Sequence, residues 1–498
     1  MSKYMNPNVA ISYWGDSSSP WKSRPGYEGY LNDQVAALPE ILQDAGYYTI
    51  MSGKWHLGLT MDRTPYARGF DRSFALLPGG SNHYAYEPCH ADGTPVFSHW
   101  ASLYTEDDKF VDSKTLPEDF YSSDYYTTRL IDFLKGHKTD AKKSDAPFFA
   151  FLPFTAPHWP LQAPAEVVKK YNGIYDEGPD VLREKRIENQ VKLGLLPADV
   201  EPHPVVAETK EWLEMQQDER KWSAKTMEVF AAMVDRMDHN IGRVIKYLEE
   251  TGEIDNTFIL FMSDNGAEGA VIEAIPMTGE VIKKSIHKHY NNDLENLGNG
   301  DSFVWYGPRW AQASTAPSAM HKGYVTEGGI RCPAIIHYPQ LSTNTARITR
   351  AFTTVMDILP TILDFAGVPQ PNGKFRGRDV VPIKGKSWIP HLLGKAAKVH
   401  DEETVTGWEL FFNQAVRKGK YKAVFTPKPK GPEKWQLFDL EKDMGEVHDL
   451  ASEKPEVLDE LVKHWMIYVA EFGVFLYVFH LTRFLVTCLG TCLLIFFE

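Results

Sequence analysis

Cysteine is scarce in this chain. Four occur in 498 residues, too few for a disulfide framework. Cys488 and Cys492 lie at the far C-terminal end, which leaves Cys89 and Cys332 in the main body. No Asn-x-Ser/Thr acceptor occurs, and residues 1–25 lack the basic-then-apolar order of a secretory leader. A cytoplasmic setting is the expectation. Basic residues are also in deficit: 53 Lys and Arg face 66 Asp and Glu, a net charge of −13. That balance excludes a nucleic-acid partner, which would demand a basic face. Walker A, HExxH and G-x-S-x-G motifs are missing, so three common catalytic signatures are out. With 43% hydrophobic and 24% charged residues, global disorder is excluded too.

What is present is an alternation of strands and helices. Asn32 or Asp33 is placed to cap a helix carrying Val35, Leu38, Ile41, Leu42 and Ala45 at helical spacing, with Gly46 as its stop. Residues 47–52 then read as a strand that runs into Gly53-Lys54-Trp55-His56. The apolar runs 147–152 and 257–262 suit strands buried on both faces. The first leads to a Pro-rich turn holding His158, the second to Ser263-Asp264-Asn265-Gly266. Residues 226–250 carry a long apolar helical stripe, 333–337 read as a strand and 353–365 as a helix. This order implies an α/β fold with a doubly wound, mostly parallel sheet. Ligands of such sheets bind beyond the carboxyl ends of the strands, where Lys54, His56, His158, Asp264 and Asn265 fall.

Four segments follow from the texture. Residues 1–24 are irregular, and 25–382 form the α/β domain. Residues 383–470 form a small antiparallel α+β subdomain, with strands at 404–408, 415–417, 421–425 and 436–440 closed by a helix at 454–470. Residues 471–498 form an apolar tail. The tail reads as a tilted membrane span with Arg483 snorkelling, as a buried last helix, or as a translated non-coding extension. Its composition, unlike the rest of the chain, favours the third. The polar stretch 282–300 reads as a surface insertion.

Each chemical candidate has a bland alternative. Asp264 and Asn265 offer a carboxylate and an amide oxygen, suited to a hard cation such as Ca²⁺ or Mg²⁺, or they form an Asx turn. Lys54 and His56 are two apart, so a continuing strand points both the same way. Together they suit an anionic substrate and proton transfer, or they lie in a solvated loop. His158 and Lys322 are candidates of the same kind, against a core histidine and a solvated charge. His287 and His289 have metal-like spacing but no further ligand in order, and read as surface. Trp55, Trp159, Trp305 and Trp310 either line an aryl pocket or fill core.

Taken together, three segments carry a resemblance. GYYTIMSGKWHLG at 46–58, SDNGAEG at 263–269 and HKGYVTEGGIRCPAI at 321–335 resemble sulfatase motifs. PFFAFLPFTAPHWPLQAP, WYGPRWAQASTAPS and TVTGWELF are similar to the arylsulfatases of bacterial and fungal type in particular. The resemblance runs over about 25–473. It implies the alkaline-phosphatase-like fold, one divalent cation (Ca²⁺, with Mg²⁺ as the alternative) and hydrolysis of small-molecule sulfate esters by a formylglycine made from cysteine. Carried over by motif, Asp264 and Asn265 are metal ligands. Lys54 and His56 lie by the aldehyde hydrate, and His158 and Lys322 hold the sulfate and the leaving oxygen. His158 or Lys322 then protonates the departing alkoxide, and His56 is the candidate base that releases sulfate.

The sequence also departs from the family. The Cys/Ser-x-Pro-x-Arg motif and the first strand with its paired aspartates are missing, and Met1 reads as an internal methionine of a longer protein. Ser18-Ser19-Pro20-Trp21-Lys22 has Ser and Pro but Lys in place of Arg, and reads as a surface loop. The expectation is a chain that folds poorly and has no sulfatase activity. The alternatives are a phosphatase or phosphodiesterase of the same superfamily, and a non-catalytic, membrane-tethered pseudoenzyme.

Overall fold

A computed structural model of the protein describes residues 27–97, 101–140, 143–269, 279–341 and 348–474. The segment 1–24, with its Ser-Ser-Pro loop, and the apolar tail beyond Val474 lie outside the described residues.

The central sheet has five strands: β1 (Tyr48–Lys54), β2 (Arg72–Leu76), β3 (Tyr104–Glu106), β4 (Lys109–Val111) and β5 (Phe148–Phe151), in the order β4-β3-β2-β1-β5. β1 runs parallel to both β2 and β5, and the short β3 and β4 add antiparallel pairs at one edge. The sheet is mixed and mostly parallel, as the alternation implies.

Strand periodicity sorts its side chains to two faces. Tyr48, Ile50, Phe74 and Leu76 point into one core. There they meet α2 (Ser122–Thr139) and the end of α3 (Gln217–Glu250) through Leu130, Leu134, Tyr247 and Leu248. Met51, Ala75 and Phe149 face the other side. There Phe149 also meets α1 (Leu38–Asp44) and α4 (Ile358–Ala366), around Ile41, Leu42 and Leu363. Helices therefore cover both faces, which makes the sheet doubly wound.

Element boundaries moved for local reasons. The first helix starts at Leu38, not after Asn32, because Pro39 in its first turn presets the helical φ there. Asn32 instead turns the chain by accepting the Gln34 N–H at 3.1 Å. α3 begins at Gln217, nine residues before the apolar stripe, where Glu219 accepts the Gln216 N–H at 2.7 Å in a capping box.

Two strand readings need correction. β6 (Ile259–Met262) pairs antiparallel with β7 (Ala334–His337) as a separate two-stranded sheet, not as a member of the central one. The runs 147–152 and 257–262 are also not buried on both faces. Phe151 is 43% exposed and Phe261 37% exposed. The cause is that β5 and β6 each bond a neighbour strand on one side only, among the described residues.

A small hairpin, β8 (Lys374–Phe375) and β9 (Arg378–Asp379), precedes the C-terminal meander. The meander comprises β10 (Val405–Leu410), β11 (Asn413–Lys418), β12 (Tyr421–Phe425) and β13 (Trp435–Asp439), all antiparallel. A long helix (Pro455–Phe472) closes it, burying Leu461 and Trp465 against Val416, Ala423 and Leu437. This is the antiparallel α+β arrangement expected for 383–470. No helix among the described residues is long and apolar enough to cross a membrane.

The stretch 282–300 is not a mere surface insertion. It opens inside a helix (Gly279–His289) whose Ile282 and Ile286 are buried against Phe303, with Tyr290 and Trp159 alongside. An i, i+4 apolar pair hidden in a polar segment explains the misreading. His287, by contrast, is exposed, as expected.

Candidate active site

Residues from four distant parts of the sequence meet at the carboxyl ends of β1 and β5. β1 ends at Lys54, whose N–H donates to the Pro153 carbonyl beyond β5 at 2.8 Å. The crossing is close because position 53 is glycine. A Cβ there would stand 2.2 Å from the Pro153 oxygen, and the backbone has φ +143°. His56 has φ +59°, left-handed for a side-chain-bearing residue. The two-residue alternation of a strand therefore does not reach it. Its N–H donates to Leu77 at 3.0 Å, and its ring lies over Gly79, where a Cβ would meet Nε2 at 2.5 Å. Next door, Gly80 would bring a Cβ to 3.5 Å from His158 Nδ1. Pro78-Gly79-Gly80 is thus a bare shelf that seats both imidazoles.

His158 is anchored from two sides. Its Nδ1 lies 2.7 Å from the Trp159 carbonyl, which can only accept, so Nδ1 carries the proton and Nε2 keeps its lone pair. The carbonyl of His158 accepts from Nε2 of His83 at 3.0 Å, and Nδ1 of His83 accepts from Ser122 Oγ at 2.8 Å. His83 is fully buried and held down to about 4, first by burial. It acts as a neutral strut.

Glu268 ties the fourth segment to the third. Its carboxylate is 2.8 Å from Lys322 Nζ and 3.9 Å from His158 Nε2. The Lys322 N–H donates to Ala267 at 2.9 Å. Beneath this contact the 264–266 turn lies directly on the Glu327-Gly328-Gly329 turn. Gly266 N–H donates to Gly329 at 2.9 Å, and a Cβ on Gly266 would stand 1.8 Å from the Gly328 oxygen. Asp264 is exposed, so its carboxylate carries no burial cost, and Asn265 accepts from Ser263 Oγ through its backbone at 2.8 Å.

The charges interact strongly. Lys54 is lowered to about 8 by burial and then by Lys322, with Asp264 and Glu268 pulling the other way. His56 is pushed down to about 3 by the chain packed round it and by the two lysines, although one side of the residue is open to solvent. His158 is held well below the usual imidazole range by burial, Lys322 and Lys54. Lys322 is raised: its burial works against the charge, but Glu268 outweighs it. At neutral pH the rim therefore holds two neutral imidazoles beside two cations.

Lys54, His158, Asp264 and Lys322 thus share one rim, with His56 and Asn265 on the same turns. Sequence reasoning missed Glu268, His83 and the Gly79-Gly80 shelf. The usable signals were a carboxylate inside an already quoted motif and a Gly-Gly pair directly after a strand.

Asp264 and Asn265 are hard oxygen donors, the right kind for Ca²⁺ or Mg²⁺. In number they fall short of the roughly six to eight oxygens Ca²⁺ takes. Among the described residues no three His, Cys, Asp or Glu side chains gather as a metal-holding group. These residues alone do not make the cation shell.

Of the tryptophans, Trp310 is core, 1% exposed, with Nε1 on Ser223 Oγ. Trp55 is also buried, donating to the Arg63 carbonyl. Trp159 remains at the site, its ring 4.6 Å from that of His158 and 6.0 Å from Phe303, beside a cleft lined by Phe97 and Tyr290. Trp305 packs in the same aromatic cluster.

A doubly wound sheet with lysines and imidazoles gathered at its strand ends makes an anion-binding site, and the fold is of the alkaline-phosphatase-like class. The sulfatase family profile matches residues 15–368, and a profile described as N-sulphoglucosamine sulphohydrolase, C-terminal, matches 318–467. The chain belongs to the sulfatase family, whose members are sulfuric ester hydrolases that generally use a divalent metal and a formylglycine. It is 57% identical over 459 residues to an uncharacterized sulfatase of Schizosaccharomyces pombe, covering 92% of this chain and 80% of that one. It is 37% identical over 381 residues to an arylsulfatase of Klebsiella aerogenes, covering 75% and 76%. Among solved structures it is similar to Ps i-CgsB in complex with k-i-k-neocarrahexaose, with TM-score 0.58, 21% identity and coverage of 88% and 75%. It is also similar to the PsFucS1 sulfatase from Pseudoalteromonas sp., with TM-score 0.53, 18% identity and coverage of 91% and 74%. At these identities the structural likeness speaks to the fold.

Proposed function

We propose that this rim grips the sulfuryl group of an aryl sulfate, with Lys54 and Lys322 as counter-charges and His158 beside the leaving oxygen. The observation that carries the reading is the seat of Glu268. An anionic group already sits against Lys322 and within 3.9 Å of His158, so an oxyanion fits between them.

The residues divide the work by charge. Lys54 and Lys322 neutralise charge as it builds on the sulfuryl oxygens. His158 is held neutral first by burial and then by the two lysines, so a bound anion relieves only the lysine part, and its Nε2 stands where a leaving oxygen would need a proton. His56, depressed by the same causes, is the second imidazole placed to hold a proton at this rim. A formylglycine supplies the nucleophile in this family. This sequence holds no Cys/Ser-x-Pro-x-Arg motif for it. The chain of 498 residues is accordingly read as binding sulfate esters without turning them over. Asp264 and Asn265 are read as two oxygen ligands of a hard cation, Ca²⁺ foremost, with the remaining ligands not assigned. The aryl preference rests on Trp159, whose ring lies beside His158 and which lines a cleft together with Phe303 and Phe97. The free thiols of Cys89 and Cys332 suit a reducing, cytoplasmic setting.

The test pairs binding with turnover. Calorimetry of the purified chain with 4-nitrophenyl sulfate is expected to give binding that Lys322→Ala weakens at least about tenfold, as loss of a charge-assisted contact should. Nitrophenolate release should not exceed that of His158→Ala. Absence of binding in the parent chain would remove the proposal, and release above the control would overturn its inactivity.

A further inference from the structure

The motif SDNGAEG contains one acidic side chain that the reading above leaves without a task. Glu268 stands inside the anion-binding rim, where a carboxylate is at first sight a handicap. It contacts Lys322 at 2.8 Å and faces Nε2 of His158 at 3.9 Å, with its side chain only 16% exposed. The formal charges of the side chains around it are Lys54 and Lys322, positive, against Asp264 and Glu268, negative, so these four sum to zero, and a divalent cation on Asp264 would leave Glu268 as the carboxylate that opposes the lysines. His56 and His158 add nothing while neutral.

That balance matters because candidate substrates of like shape differ in charge. A sulfate monoester carries a single negative charge at every ordinary pH. A phosphate monoester carries between about −1.5 and −2 at neutral pH, with its second ionisation near 6. Two lysines without an opposing carboxylate would favour the more highly charged ester, since Coulomb attraction scales with the product of charges. A carboxylate that gives up the same lysine to an incoming anion stays tethered beside it and from there repels the second charge.

We infer that Glu268 is a specificity-determining residue, which makes the rim favour monoanionic sulfate esters over dianionic phosphate monoesters. Specificity here is a difference of affinities built partly from repulsion of the wrong ligand. The inference rests on the proposal that this rim binds sulfate esters.

The experiment compares 4-nitrophenyl sulfate with 4-nitrophenyl phosphate by calorimetry, using the full chain and Glu268→Gln in calcium-containing buffer. The measured quantity is the ratio of the two dissociation constants. The parent chain is expected to prefer the sulfate, and Glu268→Gln to move the ratio toward phosphate by at least about tenfold, as removing one nearby unit charge should. A merely structural role for Glu268 would weaken both esters alike and leave the ratio unmoved, which overturns the inference. A second arm needs no variant. In the parent chain the preference for sulfate should shrink when the pH drops from about 7, where Lys54 is still charged, to about 5, because the phosphate ester then becomes a monoanion. A ratio constant across that range overturns the inference too. If the parent chain binds neither ester, the rim proposal itself has failed, an outcome distinct from binding without discrimination.

Discussion

Lys322 and Lys422 are among the lysines that touch a carboxylate at 2.8 Å, and their two contacts have opposite consequences. Lys322 meets Glu268 at the rim, with the two side chains 30% and 16% exposed. Lys422, on β12, meets Glu327 at 2.8 Å and Glu446 at 2.9 Å with no exposure of its own. The rim pair has water on one side, and an incoming anion can take the place of its carboxylate. The buried triad has no such freedom. Glu446, held at φ +56°, also accepts the Glu327 N–H at 2.7 Å. The C-terminal sheet thereby clamps the Glu327-Gly328-Gly329 turn on which the Asp264 turn rests. The same pair of functional groups binds ligand where one partner is replaceable and fixes backbone where neither is.

The largest effect should follow from breaking the buried member. Lys422→Met leaves two carboxylates in the interior without the ammonium they share, with Arg331 and Arg417 acting on Glu327 only at longer range. The expected loss is about 3–5 kcal/mol of unfolding free energy, read as the urea midpoint at constant slope. Adding Glu446→Gln should recover part of it, since one of the stranded charges is then gone. A loss below roughly 1 kcal/mol, the range of exposed pairs, would erase the distinction between the two lysines.

How far each region could be read from sequence follows the same division. The strand ends were legible because Lys54, His56 and Asp264 closely follow apolar runs; the doubly wound sheet gathers the first two, while Asp264 follows a strand of the separate β6-β7 pair. The C-terminal meander was legible because its strands are short and separated by Gly419 and by Pro427-Lys428-Pro429. Glu268 and the Lys422 triad were not. A lone acidic residue in a loop, and a lysine in the middle of YKAVF, carry no periodic signal. Their meaning arises from partners 24, 54 and 95 positions away. His83 was hidden for the same reason: it works through the carbonyl of His158 and not through any motif of its own. The antiparallel pairing of β6 with β7 was also invisible, since apolar runs specify burial and not the neighbour.

Titration sharpens the comparison on the buried side. Glu446 is pushed up to about 7, first by burial and then by Glu327, with Lys422 opposing. Glu327, against its own burial, is drawn below the usual carboxylate range by Lys422. A carboxyl raised in the folded state holds its proton more tightly there than in the unfolded chain. Its contribution to stability is full below the ordinary value of 4.5 and is lost as pH rises to about 7. Glu327 acts in the opposite direction but only as pH falls below its ordinary value, outside this window. Between about pH 5 and pH 8 this group makes stability fall as pH rises, against the opposite slope of the depressed His56, His83 and His158, so the melting temperature of Glu446→Gln, where the titrating group is absent, should gain on that of the parent chain as pH rises. Parallel curves would show that the triad does not titrate as a buried unit.

The smallest stability effect belongs to the rim, and it is the most telling. Lys322→Met removes a cation whose partner has 16% of its side chain in contact with solvent, so Glu268 can turn to water instead of remaining stranded. The expected change in unfolding free energy is within about 1 kcal/mol, and raised salt should shrink it further by screening the pair. The same substitution should weaken binding of 4-nitrophenyl sulfate at least about tenfold, because the anion loses the ammonium that Glu268 now occupies and keeps only Lys54. Destabilisation on the scale expected for Lys422→Met would mean that Lys322 is a structural ion after all. The exchange of Glu268 for a sulfuryl group, on which the rim's function depends, would then cost more than an incoming ester can supply.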